Sequence, residues 1–151
     1  MTDELVDLFD KAIYKEIAAE ATYIAGQKMT QNPAAMALMK ELALEEHKHA
    51  EVLRDMKEKG PKYYKWHNAK VPDLKISQYL VSGDSLEKVN LQDALIFAIK
   101  REQQAVEFYS NMIGIPTDAS AKRIAHRIAD EELKHKLKLE ILYDDIFYKE
   151  D

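Results

Sequence analysis

A short pattern, a glutamate followed three residues later by a histidine, occurs twice in the chain at a spacing of 86 residues. The first copy is Glu46 with His49, and the second is Glu132 with His135. Each copy lies in the middle of a long segment in which apolar residues recur at steps of three and four, the period of an amphipathic helix. Residues three apart share one face of a helix. The pattern therefore places four ionisable side chains on the core-facing stripes of two helices.

The same offset of 86 extends along the rest of the chain. It relates Glu16 to Glu102 and Tyr23 to Tyr109. It also maps the apolar stripe of the first helical segment onto that of the third, and the second onto the fourth, without a gap. The chain is therefore predicted to be a duplicated helical hairpin, and the duplication brings all six glutamates and histidines to one level of the core.

Four helical segments are predicted, at about 2–28, 32–60, 90–114 and from 117 or 118 almost to the C-terminus. The links within each half are short, so the two helices of each half must be antiparallel. The predicted fold is all-α, a four-helix bundle with one long crossover. It forms a single domain over residues 1–151, divided into hairpin 1 (about 2–60), the crossover (61–89) and hairpin 2 (about 90–148). Within the crossover, a short helix over 72–81 is a secondary expectation.

Composition excludes several classes of protein. The chain has no cysteine, which excludes a thiolate-bound iron centre, an iron–sulfur cluster, a thiol nucleophile and a disulfide scaffold. Its net charge is −5, with both signs interleaved and no basic run, so a nucleic-acid partner is not expected. No apolar stretch is long enough for a membrane span and no signal peptide is visible. A cytoplasmic protein is expected.

The four core glutamates require a counter-charge. An ionised carboxylate in an apolar interior takes up a proton or finds an opposite charge, and no lysine or arginine falls on the four stripes. Two divalent ions would balance four carboxylates. Carboxylate and imidazole ligands suit iron or manganese, and the absence of thiolates argues against a structural zinc site. A bundle whose buried acids are simply protonated is the structural alternative.

These residues resemble those of the rubrerythrin-type di-iron domain of the ferritin-like superfamily, over the whole chain. The resemblance rests on Glu-x-x-Ala-x-x-x-Tyr at 16–23 and 102–109, and on Glu-Glu-x-x-His at 45–49 and 131–135. It implies two iron ions, with manganese possible, and six ligands: Glu16, Glu46, His49, Glu102, Glu132 and His135. It further implies that Glu46 and Glu132 bridge the ions and that Tyr23 and Tyr109 hydrogen-bond to ligand carboxylates.

The chain also departs from that family pattern. Rubrerythrins usually carry a rubredoxin domain, and this chain has no cysteine to build one. They have a further glutamate where Ala105 stands here, so the ligand set is the symmetric one of bacterioferritin-like sites. Ferritin cages often have a fifth helix after the fourth, and almost nothing follows it here, so a large cage is less expected.

The resemblance implies a non-haem di-iron oxidoreductase that reduces hydrogen peroxide, or dioxygen, with electrons from an external donor such as a rubredoxin-like protein. A homodimer is expected. The alternative is a ferritin-like ferroxidase that binds and stores iron. Four further ionisable residues lie beside the stripes. Glu20 is expected at the boundary or surface of the bundle, Glu45 and Glu131 are expected to face solvent, and His47 is expected to be exposed.

Overall fold

The computed structural model describes residues 2–60, 91–115 and 118–148. These residues form four α-helices and no strand. The helices are α1 (Asp3–Met29), α2 (Pro33–Lys59), α3 (Leu91–Ile113) and α4 (Ala119–Phe147). The all-α four-helix bundle predicted from the sequence is confirmed. The expected crossover at 61–89 and its short helix at 72–81 lie outside the described residues.

Side chains just before three of the helices fix where those helices begin. The hydroxyl of Thr2 accepts a hydrogen bond from the Leu5 backbone N–H, and the side chain of Asn32 accepts one from that of Ala35. Asp118 accepts hydrogen bonds from two backbone N–H groups in the first turn of α4. These caps satisfy N–H groups that have no partner within the helix, so each helix begins at a position set by its own sequence.

Two apolar clusters define how the helices run. At one end of the bundle Phe9 of α1 packs with residues late in α2 and α3 and early in α4, including Leu53, Tyr109 and Ala125. The cluster at the other end contains Tyr23, Leu42, Leu95 and Leu139. Neighbouring helices are therefore antiparallel, as predicted for each hairpin, and α2 and α3 run in the same direction. Helix α1 contacts α2 and α3, and α4 contacts the same two helices.

A layer of polar side chains lies between the two apolar clusters, at the middle of all four helices. It exists because the duplicated sequence puts an ionisable residue on each stripe halfway along each helix. Among the described helices, none is long and apolar enough to cross a membrane.

The cap at the start of α2 supplies a test of this arrangement. Replacing Asn32 by Ala removes the acceptor 3.0 Å from the Ala35 nitrogen, and we expect the free energy of unfolding to fall by about 1 kcal/mol. Gln31→Ala, at the exposed position just before the cap, is the matched control. Urea unfolding of both variants measures the difference, and equal stabilities would contradict the capping role.

Candidate metal centre

The six residues predicted as ligands all lie in the polar layer and are almost fully buried. Their exposed fractions are 5% or less. Charged side chains are rarely buried to this degree unless they are paired or bind a cation. The residues are Glu16, Glu46, His49, Glu102, Glu132 and His135. The structure brings them together, while their role as ligands remains a prediction.

The six side chains form two overlapping groups, each with three glutamates and one histidine. Helix α1 contributes Glu16 to the first group, which also contains His49, and helix α3 contributes Glu102 to the second, which contains His135. Glu46 and Glu132 belong to both. Within each group the potential ligand atoms lie within 4.8 Å of one another, so each group could hold one metal ion.

Both imidazoles present the Nδ1 atom to the shared carboxylates. The Nδ1 atom of His135 lies 2.8 Å from Glu46 Oε1 and 3.3 Å from Glu132 Oε1. That of His49 lies 3.1 Å from Glu132 Oε1 and 3.4 Å from Glu16 Oε2. The two rings are nearly parallel, with their centroids 5.9 Å apart. The arrangement therefore follows the two-fold repeat of the sequence.

Several buried polar atoms of this layer lie close to one another but make no hydrogen bond of suitable geometry in the part of the chain that the structure describes. They include both carboxylate oxygens of Glu46, one each of Glu16, Glu102 and Glu132, and Nδ1 of His135. Buried polar atoms are nearly always hydrogen-bonded. Carboxylate oxygens and imidazole nitrogens that converge without protein partners fit the requirements of a divalent cation such as iron or manganese.

The pKa shifts in the metal-free polar layer also indicate that positive charge is needed there. Burial raises the pKa of Glu46 well above its usual range, and the charges of Glu132, Glu16 and Glu102 raise it further. Burial and the charge of Glu132 raise the pKa of Glu102 to about 7. Burial would also raise the pKa of Glu132, but the close contacts with the imidazoles of His135 and His49 lower it. The layer therefore holds protons at neutral pH unless another positive charge replaces them.

Two tyrosines link the hairpins, because each donates a hydrogen bond to a core carboxylate of the other hairpin. The Tyr109 hydroxyl in α3 donates a hydrogen bond of 2.6 Å to Glu16 Oε1 in α1. Reciprocally, the Tyr23 hydroxyl in α1 donates one to Glu102 Oε1 in α3. Burial and neighbouring carboxylates raise the pKa of both tyrosines well above 10.0, so both remain donors at neutral pH. In both carboxylates the second oxygen, Oε2, has no hydrogen-bond partner among the described residues.

Glu131 was expected to face solvent, and this expectation is wrong. Its side chain is largely buried, and its Oε2 atom lies 2.5 Å from His49 Nε2. Burial would raise the pKa of Glu131, but the contact with His49 outweighs it and lowers the pKa. The side chain is therefore an ionised carboxylate, which accepts a hydrogen bond from the ring. The other nitrogen, Nδ1, is thereby turned toward the shared glutamates. The repeated Glu-Glu pair at 45–46 and 131–132 was the available signal, and Glu45 is also half-buried near His49.

The expectations that Glu20 lies at the boundary or surface and that His47 is exposed are also wrong. Their exposed fractions are 4% and 1%. His47 Nδ1 lies 3.0 Å from Glu20 Oε1, and His47 Nε2 lies 3.3 Å from Glu51 Oε1. The imidazole is thus buried between two carboxylates, at the junction of α1 and α2. The second hairpin has no equivalent, because Leu133 occupies the position 86 residues after His47.

A small cavity connects the polar layer with the surface between α1 and α3. It has a volume of about 40 Å³, and its inner wall contains all four core glutamates and Tyr109. Its outer wall is formed by residues of α1 and α3 alone: Lys15, Ala19, Arg101, Gln104 and Ala105. Lys15 and Gln104 are exposed, so the cavity reaches the surface.

The pKa shifts predict how the metal-free protein responds to pH. The pKa of Glu102 is raised to about 7 in the folded protein. Its protonated form therefore contributes stability that is present below pH 4.5 and is lost as the pH rises through 7. Contacts with Glu102 and Glu132 outweigh burial and raise the pKa of His135 to about 9, so its contribution is also lost with rising pH. We therefore expect the melting temperature to fall between about pH 5 and pH 9.

Thermal scans with a chelator present measure this fall, and Glu102→Gln should reduce it because glutamine stays neutral. Adding ferrous or manganous ion should also reduce it, since metal binding displaces the protons. A melting temperature that is flat or rises over this range without metal would contradict the electrostatic account.

The contact between Glu131 and His49 predicts a role in metal affinity. Mutation of a residue that hydrogen-bonds to a metal ligand typically lowers metal affinity by about 10- to 100-fold. We expect a loss of this size in Glu131→Ala. The matched control is Asp130→Ala, which removes an exposed carboxylate one residue earlier. Titration with cobaltous ion, followed by absorbance, compares the two variants. Equal affinities would show that Glu131 does not position the ring.

Comparison with known proteins agrees with this geometry. The family model described as Rubrerythrin matches residues 7–143 of the chain. The matched region contains most of α1 and α4, all of α2 and α3, and every residue of the polar layer. A search of curated proteins finds no match. Rubrerythrin domains are ferritin-like domains that bind iron, so the predicted ferritin-like fold is confirmed. Because the family model covers nearly the whole chain, the protein belongs to the rubrerythrin family.

Proposed function

We propose that the protein is a non-haem di-iron oxidoreductase that reduces hydrogen peroxide with electrons from an external donor. The observation that carries the proposal is the pair of overlapping groups, each of three glutamates and one histidine, that share Glu46 and Glu132. Two shared carboxylates are what a pair of adjacent ions requires. Membership of the rubrerythrin family supports iron as the metal, although manganese accepts the same ligands.

In this proposal each ion has four protein ligands. One ion is held by Glu16 and His49, the other by Glu102 and His135, and both by Glu46 and Glu132. Four carboxylates balance two divalent ions, with both imidazoles neutral. The unpartnered carboxylate oxygens of the polar layer would then be accounted for by metal–ligand bonds, and the opposing pKa shifts would be relieved.

Reduction of one peroxide molecule to two water molecules consumes two electrons and two protons, and a pair of ferrous ions would supply the electrons. The chain's own residues set the conditions for that reaction. Tyr23 and Tyr109 hold the outer glutamates by one oxygen each, which leaves the other oxygen to adjust its coordination. Glu131 fixes the orientation of His49. The six proposed ligands are almost fully buried, and the cavity of about 40 Å³ in the metal-free protein leads from the surface to them.

The electron donor is proposed to be a separate protein, such as a rubredoxin-like one. The chain has no cysteine, so it cannot hold a thiolate-bound iron centre of its own. A homodimer and a cytoplasmic location remain predictions, as does dioxygen as an alternative oxidant.

Ferroxidase activity with iron storage is the second candidate. It is favoured by the symmetry of the ligand set, in which each hairpin contributes one outer glutamate, one shared glutamate and one histidine. Such a centre could oxidise iron with dioxygen and pass it on. The two candidates differ in the preferred oxidant and in the amount of iron retained.

Stopped-flow absorbance separates the two candidates. The ferrous protein is mixed anaerobically with peroxide and, in a second experiment, with dioxygen. We expect faster oxidation by peroxide and no more than two iron ions retained per chain. Faster oxidation by dioxygen, with retention of excess iron, would favour storage. A protein that binds no iron would contradict both candidates.

Removing a shared ligand should affect both ions together. Glu46→Ala takes one carboxylate from each group, and we expect iron to fall well below two ions per chain and peroxide reduction to be lost. Glu58→Ala, an exposed change in the same helix, serves as the control. Elemental analysis and circular dichroism measure iron content and folding. Wild-type iron content in folded Glu46→Ala would rule out its bridging role.

A further inference from the structure

We infer that small oxidants reach the polar layer between α1 and α3, through an opening whose width is set by Ala19 and Ala105. The inference rests on the proposed function and specifies its substrate class: peroxide or dioxygen enters, whereas a branched organic hydroperoxide does not.

The first observation is the position of the cavity. Its inner wall is formed by the core glutamates, four buried side chains with unpartnered oxygens. Its outer wall belongs to α1 and α3, the helices that contribute the outer glutamates. A molecule in this cavity would therefore meet the proposed ligands of both ions at once.

The second observation is that two other sides of the layer are closed by buried polar contacts. Between α1 and α2, the paired side chains of Glu20 and His47 are almost fully buried. Between α2 and α4, Glu131 lies against His49, which is itself fully buried. Among the described residues, the groove between α1 and α3 is crossed at its rim by the half-buried contact of Arg101 with Thr22, and not by a buried Glu–His pair.

The third observation concerns the residues that leave this groove open. Ala19 and Ala105 are related by the offset of 86 residues, and each lies one turn after the outer glutamate of its helix. Both are half-buried and both line the cavity. A side chain that ends at Cβ on each helix leaves space that a longer side chain would fill.

The size of the cavity sets the substrate class. A cavity must offer about 10–15 Å³ to hold one water molecule, and this one offers about 40 Å³. This volume is that of the metal-free cavity, and bound ions would occupy part of it between the glutamates. The remaining space therefore admits at most a molecule of two or three heavy atoms, such as peroxide, dioxygen or azide. A tert-butyl group, with four carbons in a compact cluster, does not fit.

The mouth of the cavity is positively charged. Lys15 of α1 and Arg101 of α3 both line it, and Arg101 donates a hydrogen bond of 3.1 Å to Thr22 across the groove. Two cations at the entrance disfavour the approach of a ferrous ion while leaving a neutral or anionic ligand unhindered. The opening therefore suits an oxidant better than it suits iron.

The test uses leucine substitutions that fill the opening. Ala19→Leu and Ala105→Leu should retain two iron ions per chain, while the rate constant for oxidation by peroxide falls at least about tenfold. The rate of azide binding to the oxidised, iron-loaded protein, followed by absorbance, should fall in parallel without any turnover. Ala18→Leu, a half-buried change in the same helix that does not line the cavity, should leave both rates unchanged.

Glycine substitutions test the inference in the opposite direction and do not depend on the leucine variants folding. The double variant Ala19→Gly, Ala105→Gly should have a higher ratio of its rate with tert-butyl hydroperoxide to its rate with hydrogen peroxide than the wild type has. Iron-loaded leucine variants that react with peroxide and bind azide at wild-type rates would overturn the inference. Glycine variants with the same relative rates for hydrogen peroxide and tert-butyl hydroperoxide as the wild type would also overturn it. A wild-type protein that binds no iron would instead overturn the proposed function.

Discussion

The repulsion among four buried carboxylates is the constraint on which the rest of this structure depends. Glu46 lies within reach of Glu16, Glu102 and Glu132, and their charges raise its pKa in addition to the effect of burial. Two imidazoles and two tyrosines relieve only part of that cost. The apolar clusters on either side stabilise the bundle, and their packing forces these acids together at its centre. In the proposed function, a pair of cations would resolve the conflict with the residues that are present.

The two-fold repeat explains why the layer is so regular. Each hairpin alone would present two glutamates and one histidine to one side of a helix pair. The second hairpin supplies the same set from the opposite side, so that Tyr23 reaches Glu102 and Tyr109 reaches Glu16. These hydrogen bonds cross between hairpins, so the site is complete only when both hairpins have docked. Assembly of the site therefore requires the two hairpins to dock.

Much of this could be predicted from the sequence, and the exceptions have a common cause. An apolar stripe identifies the centre of the buried face of a helix, which was sufficient to place the six core residues. Each helix of a bundle packs against two neighbours, however, so its buried surface is wider than one stripe. Glu20, His47 and Glu131 lie on these flanks. Whether a flank is covered depends on the neighbouring helix, and only the structure reveals that His47 fits between Glu20 and Glu51.

Anomalous diffraction from crystals of the iron-loaded protein, recorded at the iron absorption edge, would test the central claim most directly. The account predicts two strong peaks in the polar layer, both within bonding distance of Glu46 and Glu132, with His49 at one ion and His135 at the other. No peak, or a single peak outside the carboxylate layer, would show that protons rather than metal ions keep these acids buried.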